Sequence, residues 1–396
     1  MYLSHLSLTN FRNIRQLEWD LPASPIVLVG ANAQGKTSLL EAIYLLAIAR
    51  SFRADNEREV VNWEAAAETS HAMVSGIVER KAGRERVAIG YQCVPSGQGS
   101  SDQGFSFSVR KHASVSHARR TASELVGLVN AVLFSADDLQ LVYGPPAGRR
   151  RYLDVLLSQG SSTYIWSLQR YQRVVHQRNQ LLRMLREGRA GHEELSFWDE
   201  ELVKEGSVIL VHRLRALAVL SQLAGEIHSE LTDESTLNMA YKSALPLPTA
   251  CPQDEHAEVE QAAAVRELFT SALERSHPRE LATGSTMVGP HRDDLRLLVG
   301  QVDMGTYASR GQARTIALSL RLAEAAYLSS LRGDGPIVLL DDVLSELDAQ
   351  RRAQVLRRAS SYQQVIITTT DLEPLGREFL DKAACFRVVA GHVMPL

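Results

Sequence analysis

Eight consecutive residues, Gly30-Ala31-Asn32-Ala33-Gln34-Gly35-Lys36-Thr37, satisfy every fixed position of the pattern G-x-x-x-x-G-K-[ST]. Such a loop turns its backbone N–H groups toward phosphate oxygens, at the positive end of the following helix. Lys36 would reach β- and γ-phosphates, and the Thr37 hydroxyl would ligate Mg²⁺. Far downstream, Pro336-Ile337-Val338-Leu339-Leu340 ends in Asp341 and Asp342. Asp341 suits a Mg²⁺ site reached through water, and Asp342 suits a general base or orienter of an attacking water. A third group, Ser309-Arg310-Gly311-Gln312, precedes a long helical pattern and makes a second anion-binding helix end. One nucleotide cannot easily use both helix ends from one subunit, so the pair suggests a sandwich of two subunits. Alone, Ser-x-Gly-Gln is only a good N-cap.

The elements that must position these groups are readable around them. Pro25–Val29 is a short β-branched apolar run that reads as a buried parallel strand, and Ser38–Leu46 is apolar at helical spacing. The run 336–340 reads as a central strand buried on both faces. Thr315 to Leu331 reads as a helix with Leu318, Leu322, Ala325 and Leu328 or Ser329 on one face. Residues 81–104 read as a solvated hairpin or loop, and Phe105–Arg110 alternates as a strand does. From about Arg149 the period changes. Tyr164, Leu168, Tyr171, Val175, Leu182 and Leu185 form a heptad-like stripe, interrupted where Arg178 would sit. After the turn Glu187–Gly191 a second helix carries Leu195, Trp198, Leu202, Ile209, Leu217, Leu220, Ile227 and Leu231 inward. Two antiparallel helices of about 35 residues would make an arm about 50 Å long. Pro246, Pro248 and Pro252 break it, a helix of about 254–276 follows, and the chain is expected to re-enter the sheet near Thr286.

Composition bounds the function without naming it. The chain has 396 residues, 45% of them hydrophobic, enough for two or three domains. The formal net charge of −3 means that any nucleic-acid surface must be a local patch. Cys93, Cys251 and Cys385 lie far apart with no metal spacing, so a reducing cytoplasm is the expectation. No signal peptide is read at Met1-Tyr2-Leu3-Ser4-His5, and no apolar run approaches the roughly 20 residues that span a bilayer.

The phosphate loop, Ser309-Arg310-Gly311-Gln312, the acidic strand end and Ser345-Glu346-Leu347-Asp348 stand in the order of the Walker A, signature, Walker B and D-loop motifs. That order resembles ABC-type ATPases. The interval from Thr37 to Ser309 is too long for a transporter ATPase and suits the SMC-like branch, which inserts an arm there. Asn10-Phe11-Arg12-Asn13, Leu133–Leu139, Arg149–Asp154, Val288–Asp294 and Thr368-Thr369-Thr370-Asp371-Leu372 narrow the likeness: the chain resembles the RecF family of recombination mediators, in order over nearly its whole length.

The resemblance implies an α/β, ABC-type P-loop ATPase head of SMC-like type with an inserted helical hairpin arm. The head would comprise 1–148 and 286–396, and the arm 149–285. It implies ATP and Mg²⁺ as ligands, with Lys36, Thr37, Asp341 and Asp342 in one subunit and Ser309, Gly311 and Gln312 from the other at the γ-phosphate. Arg12, at the end of the first strand, would contact the γ-phosphate or be a surface arginine. It further implies an ATP-dependent homodimer in recombinational repair, replication and the SOS response to DNA damage. That dimer would bind gapped or junction DNA and help load recombinase, with RecR-like and, indirectly, RecO-like partners. Two departures from the wider ABC pattern point to slow hydrolysis, a switch more than a motor. Asp342 stands where most such ATPases have a longer glutamate, and Thr370 stands where a histidine would precede Asp371. A weak, DNA-stimulated ATPase is therefore expected. The alternatives are a membrane transporter's ATPase subunit and an SMC-like nuclease or chromosome-structuring ATPase.

The basic clusters have two readings each. Arg149, Arg150, Arg151 and Arg178 are either parts of solvated helix faces or phosphate contacts to DNA; Arg119-Arg120, Arg173, Arg183 and Arg186 pose the same choice. His291-Arg292-Asp293-Asp294 is either a turn bonded into the core or a segment from which Arg292 reaches nucleotide or the arm's base.

Overall fold

Continuous apolar runs and alternating ones become different sheets in this chain. A computed structural model describes residues 1–65, 71–95, 107–191, 193–232, 235–248 and 255–396. Among these the first strands are β1 Tyr2–Phe11, β2 Ile14–Asp20, β3 Ile26–Val29, β4 His71–Arg80 and β5 Gly83–Pro95. They are followed by β6 Phe107–Val115, β7 Ala118–Arg120, β8 Ala131–Phe134, β9 Leu237–Lys242 and β10 Asp294–Val299. The last are β11 Val302–Asp303, β12 Ile337–Asp341, β13 Val365–Thr369, β14 Ala384–Val389 and β15 His392–Pro395. The chain divides into two units, Met1–Asp138 with Glu324–Leu396, and Leu139–Ala323.

In the first unit a six-stranded sheet has the order β15-β14-β3-β13-β12-β8. Its strands β14, β3, β13, β12 and β8 run parallel, and β15 closes one edge antiparallel. Ile26, Val27, Leu28 and the whole of Ile337–Leu340 are fully buried, as central parallel strands covered on both faces require. The helix Lys36–Ile48 follows β3 across the glycine loop. An antiparallel sheet of order β2-β1-β4-β5-β6-β7 completes the unit. Of the two readings of 81–104, a solvated hairpin or a loop, the described part is hairpin but not solvated throughout: β5 is a 13-residue strand paired with both β4 and β6. Val87, Ile89, Tyr91 and Cys93 alternate inward, and the charged residues around Gly83 hid that period. Residues 96–106, with the start of the strand read from Phe105, lie outside the described residues.

The second unit is helical apart from a three-stranded sheet of order β11-β10-β9. The first arm helix is shorter than expected. Ser161 accepts a hydrogen bond from the Tyr164 N–H (3.2 Å) and caps the helix Ser162–Arg186, which is separate from Pro146–Gly160. The returning helix Glu193–Leu231 has 39 residues, and Glu255–Thr283 packs against both arm helices. By length and composition alone Glu193–Leu231 is long and apolar enough to cross a membrane, contrary to the expectation that no apolar run is. Here its Leu202, Ile209, Leu220 and Ile227 are buried within the unit. Arg213, in the middle of that stretch, is also buried and fully engaged. It donates to Tyr164 Oη (3.1 Å), Tyr241 Oη (3.0 Å), the Pro290 carbonyl (2.8 Å) and Asp154 (2.7 Å).

The chain does not re-enter the nucleotide sheet near Thr286. Strand β10 pairs with β9 instead, and residues 286–323 cluster with the arm. The segment Val288–Asp294 is bonded into the arm's base. Asp293 accepts from Tyr241 Oη (3.0 Å) and Ser243 Oγ (2.8 Å), and Arg292 donates to the Thr286 carbonyl (3.0 Å). His291 bridges Tyr171 Oη (2.6 Å) and the Thr286 carbonyl (3.2 Å). Burial, then the nearby Arg292, Arg150 and Arg178, lowers its pKa to about 4, which fits a neutral ring accepting the Tyr171 O–H.

Candidate functional site

The glycine loop is shaped from outside as well as from within. A Cβ on Gly30 would sit 2.5 Å from the Val388 carbonyl oxygen of β14, so only glycine fits there. Gly35 has φ 106°, a left-handed conformation that opens the helix Lys36–Ile48. The turn joining β14 to β15 braces the loop. Ala390 N–H donates to Gln34 Oε1 and Gly391 N–H to the Gln34 carbonyl, both at 2.8 Å. On the other side Ser38 Oγ donates to Asn13 Oδ1 (2.8 Å), tying the helix to the β1–β2 turn.

Residues separated by most of the chain meet in this frame. Lys36 Nζ donates to the carbonyls of Gly30 (2.6 Å) and Ala31 (2.9 Å). Burial lowers its pKa, opposed by the charges of Asp342 and Asp341. Thr37 Oγ1 donates to Asp341 Oδ1 at 2.9 Å, and Thr368 Oγ1 donates to the same oxygen at 2.9 Å. Burial raises the Asp341 pKa, and the two hydroxyl bonds oppose the rise. Asp342 is exposed and holds φ 54°, strained for a residue with a Cβ. Its N–H donates to Thr368 Oγ1 (3.0 Å) and its carbonyl accepts from Ser345 Oγ (2.8 Å), which fixes the turn after β12. Lys36, Thr37, Asp341, Asp342 and Thr368, with Asn32, Ala33 and Gln34, line one cavity of about 820 Å³.

Two members of the site were missed in the sequence. Thr368 was visible only as one threonine of a run, and nothing local marked it as the partner of both aspartates. Glu41 is the lone carboxylate on the loop helix, among apolar neighbours, and it is fully buried. Arg12, at φ 53° in the β1–β2 turn, donates to both Glu41 oxygens (2.9 and 2.7 Å) and to the Glu59 carbonyl (2.7 Å). Ser51 Oγ also bonds Glu41. Arg12 therefore lines the cavity with its guanidinium already engaged.

The signature residues lie in the second unit. Ser309 N–H donates to Gln312 Oε1 (2.9 Å), and Gln312 N–H donates to Ser309 Oγ (3.2 Å), a reciprocal cap on the helix Arg310–Arg332. Ser309 and Gly311 are exposed at that helix end. The arginines chosen as DNA contacts divide. Arg178 is fully buried and paired with Glu280 (2.6 Å) and Asp199 (2.7 Å), so it cannot touch DNA phosphate. It continues the helix's buried stripe instead of interrupting it. Arg149 is held by Asp294 in a two-bond pair (2.8 and 3.0 Å), and Arg150 donates to the Asp293 carbonyl (2.8 Å). Both tie the helix Pro146–Gly160 to the start of β10; Arg151 is exposed.

The sequence matches the family model described as RecF/RecN/SMC N terminal domain over residues 2–384. A DNA replication and repair protein RecF from Chloroflexus aurantiacus is 42% identical over 402 residues, covering 99% of each chain. Another from Roseiflexus castenholzii is 41% identical over 406 residues and covers 100% of each. The chain belongs to the RecF family. A solved structure of the recombination mediator protein RecF-ATP in the RecFOR pathway is 30% identical, with a TM-score of 0.84 over 100% of this chain and 97% of that one. The Smc head domain of Pyrococcus furiosus, 14% identical at a TM-score of 0.52, shares the fold. This RecF-family chain thus has an ABC-type, SMC-like ATPase head fold carrying a helical insertion.

Proposed function

We propose that the cavity at the glycine loop binds ATP with Mg²⁺ and that the nucleotide switches this RecF-family chain between monomer and dimer. The observation that carries the reading is the meeting of Thr37 and Asp341 at 2.9 Å beside Lys36. A hydroxyl in the first turn of the loop helix and a carboxylate at the end of β12 are the oxygen donors Mg²⁺ prefers, with phosphate and water completing the shell. Bound there, the ion would offset phosphate charge. Lys36 would exchange its two loop carbonyls for phosphate oxygens, and the exposed Asp342 would position an attacking water. Ser309, Gly311 and Gln312 would close the site from a second subunit, since a helix end binds anions.

RecF relatives described as replication and repair proteins, and a RecF-ATP structure assigned to the RecFOR pathway, support the wider reading. In that reading the dimer binds gapped or junction DNA and helps load recombinase together with RecR- and RecO-like proteins. Slow hydrolysis, stimulated by DNA, releases it. Sedimentation with and without Mg·ATP, and with and without a gapped duplex, tests both parts. A dimer only with ATP, shifted further by the duplex, is expected. A monomer under every condition would overturn the switch.

A further inference from the structure

Strand β13 is apolar and fully buried from Val365 to Ile367, and Thr368 follows at 1% exposure. Valine has the same branched shape and the same preference for strands, so folding alone does not ask for an oxygen at that position. A buried hydroxyl also costs free energy unless it is hydrogen-bonded. This one is bonded as donor and as acceptor, and both partners belong to the acidic strand end.

Thr368 is the register partner of Asp341 in the parallel pairing of β13 with β12. Its single proton has two acceptors in reach, Asp341 Oδ1 at 2.9 Å and the Leu340 carbonyl at 3.4 Å, and the shorter bond goes to the carboxylate. The same hydroxyl oxygen accepts the Asp342 N–H at 3.0 Å. One group therefore holds the side chain of one aspartate and the main chain of the next. Thr37 Oγ1 reaches Asp341 Oδ1 from the loop helix, so that oxygen is gripped twice. Among the described residues Asp341 Oδ2 accepts no hydrogen bond, which leaves it for an ion or its water. Asp342 keeps a left-handed φ of 54°, which a residue with a Cβ holds only where its surroundings impose it. The bonds to Thr368 and from Ser345 Oγ are those surroundings.

We infer that Thr368 is a positioning residue of the nucleotide site: its hydroxyl sets the Asp341 carboxylate for Mg²⁺ and, through the Asp342 N–H, fixes the turn that aims Asp342 at the attacking water. This rests on the nucleotide reading above and adds the group that keeps the two acidic roles in step. Thr368 acts through the two aspartates and not on the nucleotide.

The test compares, on the full chain, Thr368→Val, which removes the oxygen and keeps the shape, with Thr368→Ser, which keeps the oxygen. In the nucleotide-free chain, amide exchange at Asp342 should quicken on the order of 10-fold in Thr368→Val, because its N–H loses its acceptor. With ATP present, Mn²⁺ followed by electron paramagnetic resonance should bind severalfold more weakly to Thr368→Val, and single-turnover hydrolysis should fall on the order of 10-fold. Thr368→Ser should stay within twofold of the parent in all three. ATP affinity without divalent ion, which depends on Lys36 and the loop, should stay within twofold in both variants and shows that the site is folded. Should valine strain the strand, Thr368→Ala against Thr368→Ser, which differ only in the oxygen, makes the same comparison. Parental Mn²⁺ affinity and hydrolysis in Thr368→Val would overturn the inference, even with faster exchange, since the hydroxyl would then hold the turn alone. Equal impairment of Thr368→Ser and Thr368→Val would also overturn it, by making packing of the methyl group the cause. Undiminished ATP affinity in Lys36→Ala would instead overturn the nucleotide reading itself, which no result at Thr368 can do.

Discussion

Asp341 and Asp342 are adjacent in sequence, but their surroundings separate them. Asp341 is inside the strand end, gripped by two hydroxyls, while Asp342 is exposed on a left-handed turn that Thr368 and Ser345 hold in place. Asp342→Asn keeps the shape and the Asp341 site but removes the charge that would polarise water. Hydrolysis should fall by about 10²- to 10⁴-fold with Mg·ATP binding retained, and the nucleotide-bound dimer should live longer. Asp341→Asn should instead weaken Mg²⁺-dependent binding itself. Dimer lifetimes of the two variants at saturating ATP decide the assignment: identical behaviour would show that the roles are shared, and the opposite order that they are reversed. Lys36, Thr37 and both aspartates were legible in the sequence because their chemistry is tied to residue type and spacing. Arg178 and Arg149 were not. A charge on a helix says nothing about a carboxylate a hundred or more residues on, and Glu280 and Asp294 are what engage them.

At the scale of elements, the glycine loop depends on a hairpin whose role no motif announces. Ala390 and Gly391 both have positive φ, 48° and 82°, as a tight two-residue turn between β14 and β15 needs. That turn donates both of its N–H groups to Gln34. Gly391→Ala would force a Cβ to within 3.1 Å of Ile14 Cγ1 and 3.4 Å of the Asn13 carbonyl. Gly83, at φ 132° with nothing within 4 Å of its would-be Cβ, is the matched control. Each substitution to alanine should cost on the order of 1–3 kcal/mol of stability in denaturant melts. Only Gly391→Ala should also weaken Mg·ATP, by severalfold, because only it shifts the loop. Equal nucleotide affinity in the two variants would mean that the hairpin merely covers an edge. The loop helix and the long arm helices were legible from their 3.6-residue period. The break at Gly160–Ser161 and the strand β5 were not, because one rests on a single serine cap and the other on alternation diluted by charge.

For the whole molecule, the open question is which subunit completes each nucleotide site. The loop and the Walker-type aspartates lie in one unit of the chain and the Ser309 helix end in the other. If the site is a sandwich, each composite site takes its loop from one subunit and its signature from the other. Ser309→Arg should then leave Mg·ATP binding to the isolated subunit nearly intact. The lost N-cap costs only about 1 kcal/mol in a 23-residue helix. Nucleotide-induced dimers should disappear, because the added guanidinium and its bulk occupy the place of the γ-phosphate contact. Lys36→Ala alone should also fail to dimerise, for want of bound nucleotide. Mixing the two inactive variants separates the models. In a mixed pair, the intact loop of the Ser309→Arg chain faces the intact signature of the Lys36→Ala chain, so one complete site forms and the other carries both defects. Sedimentation of differently labelled chains should therefore show mixed dimers with ATP where neither variant forms its own, and hydrolysis should return in part. If Ser309 serves the loop of its own chain, every chain in the mixture has a defective site and nothing is restored.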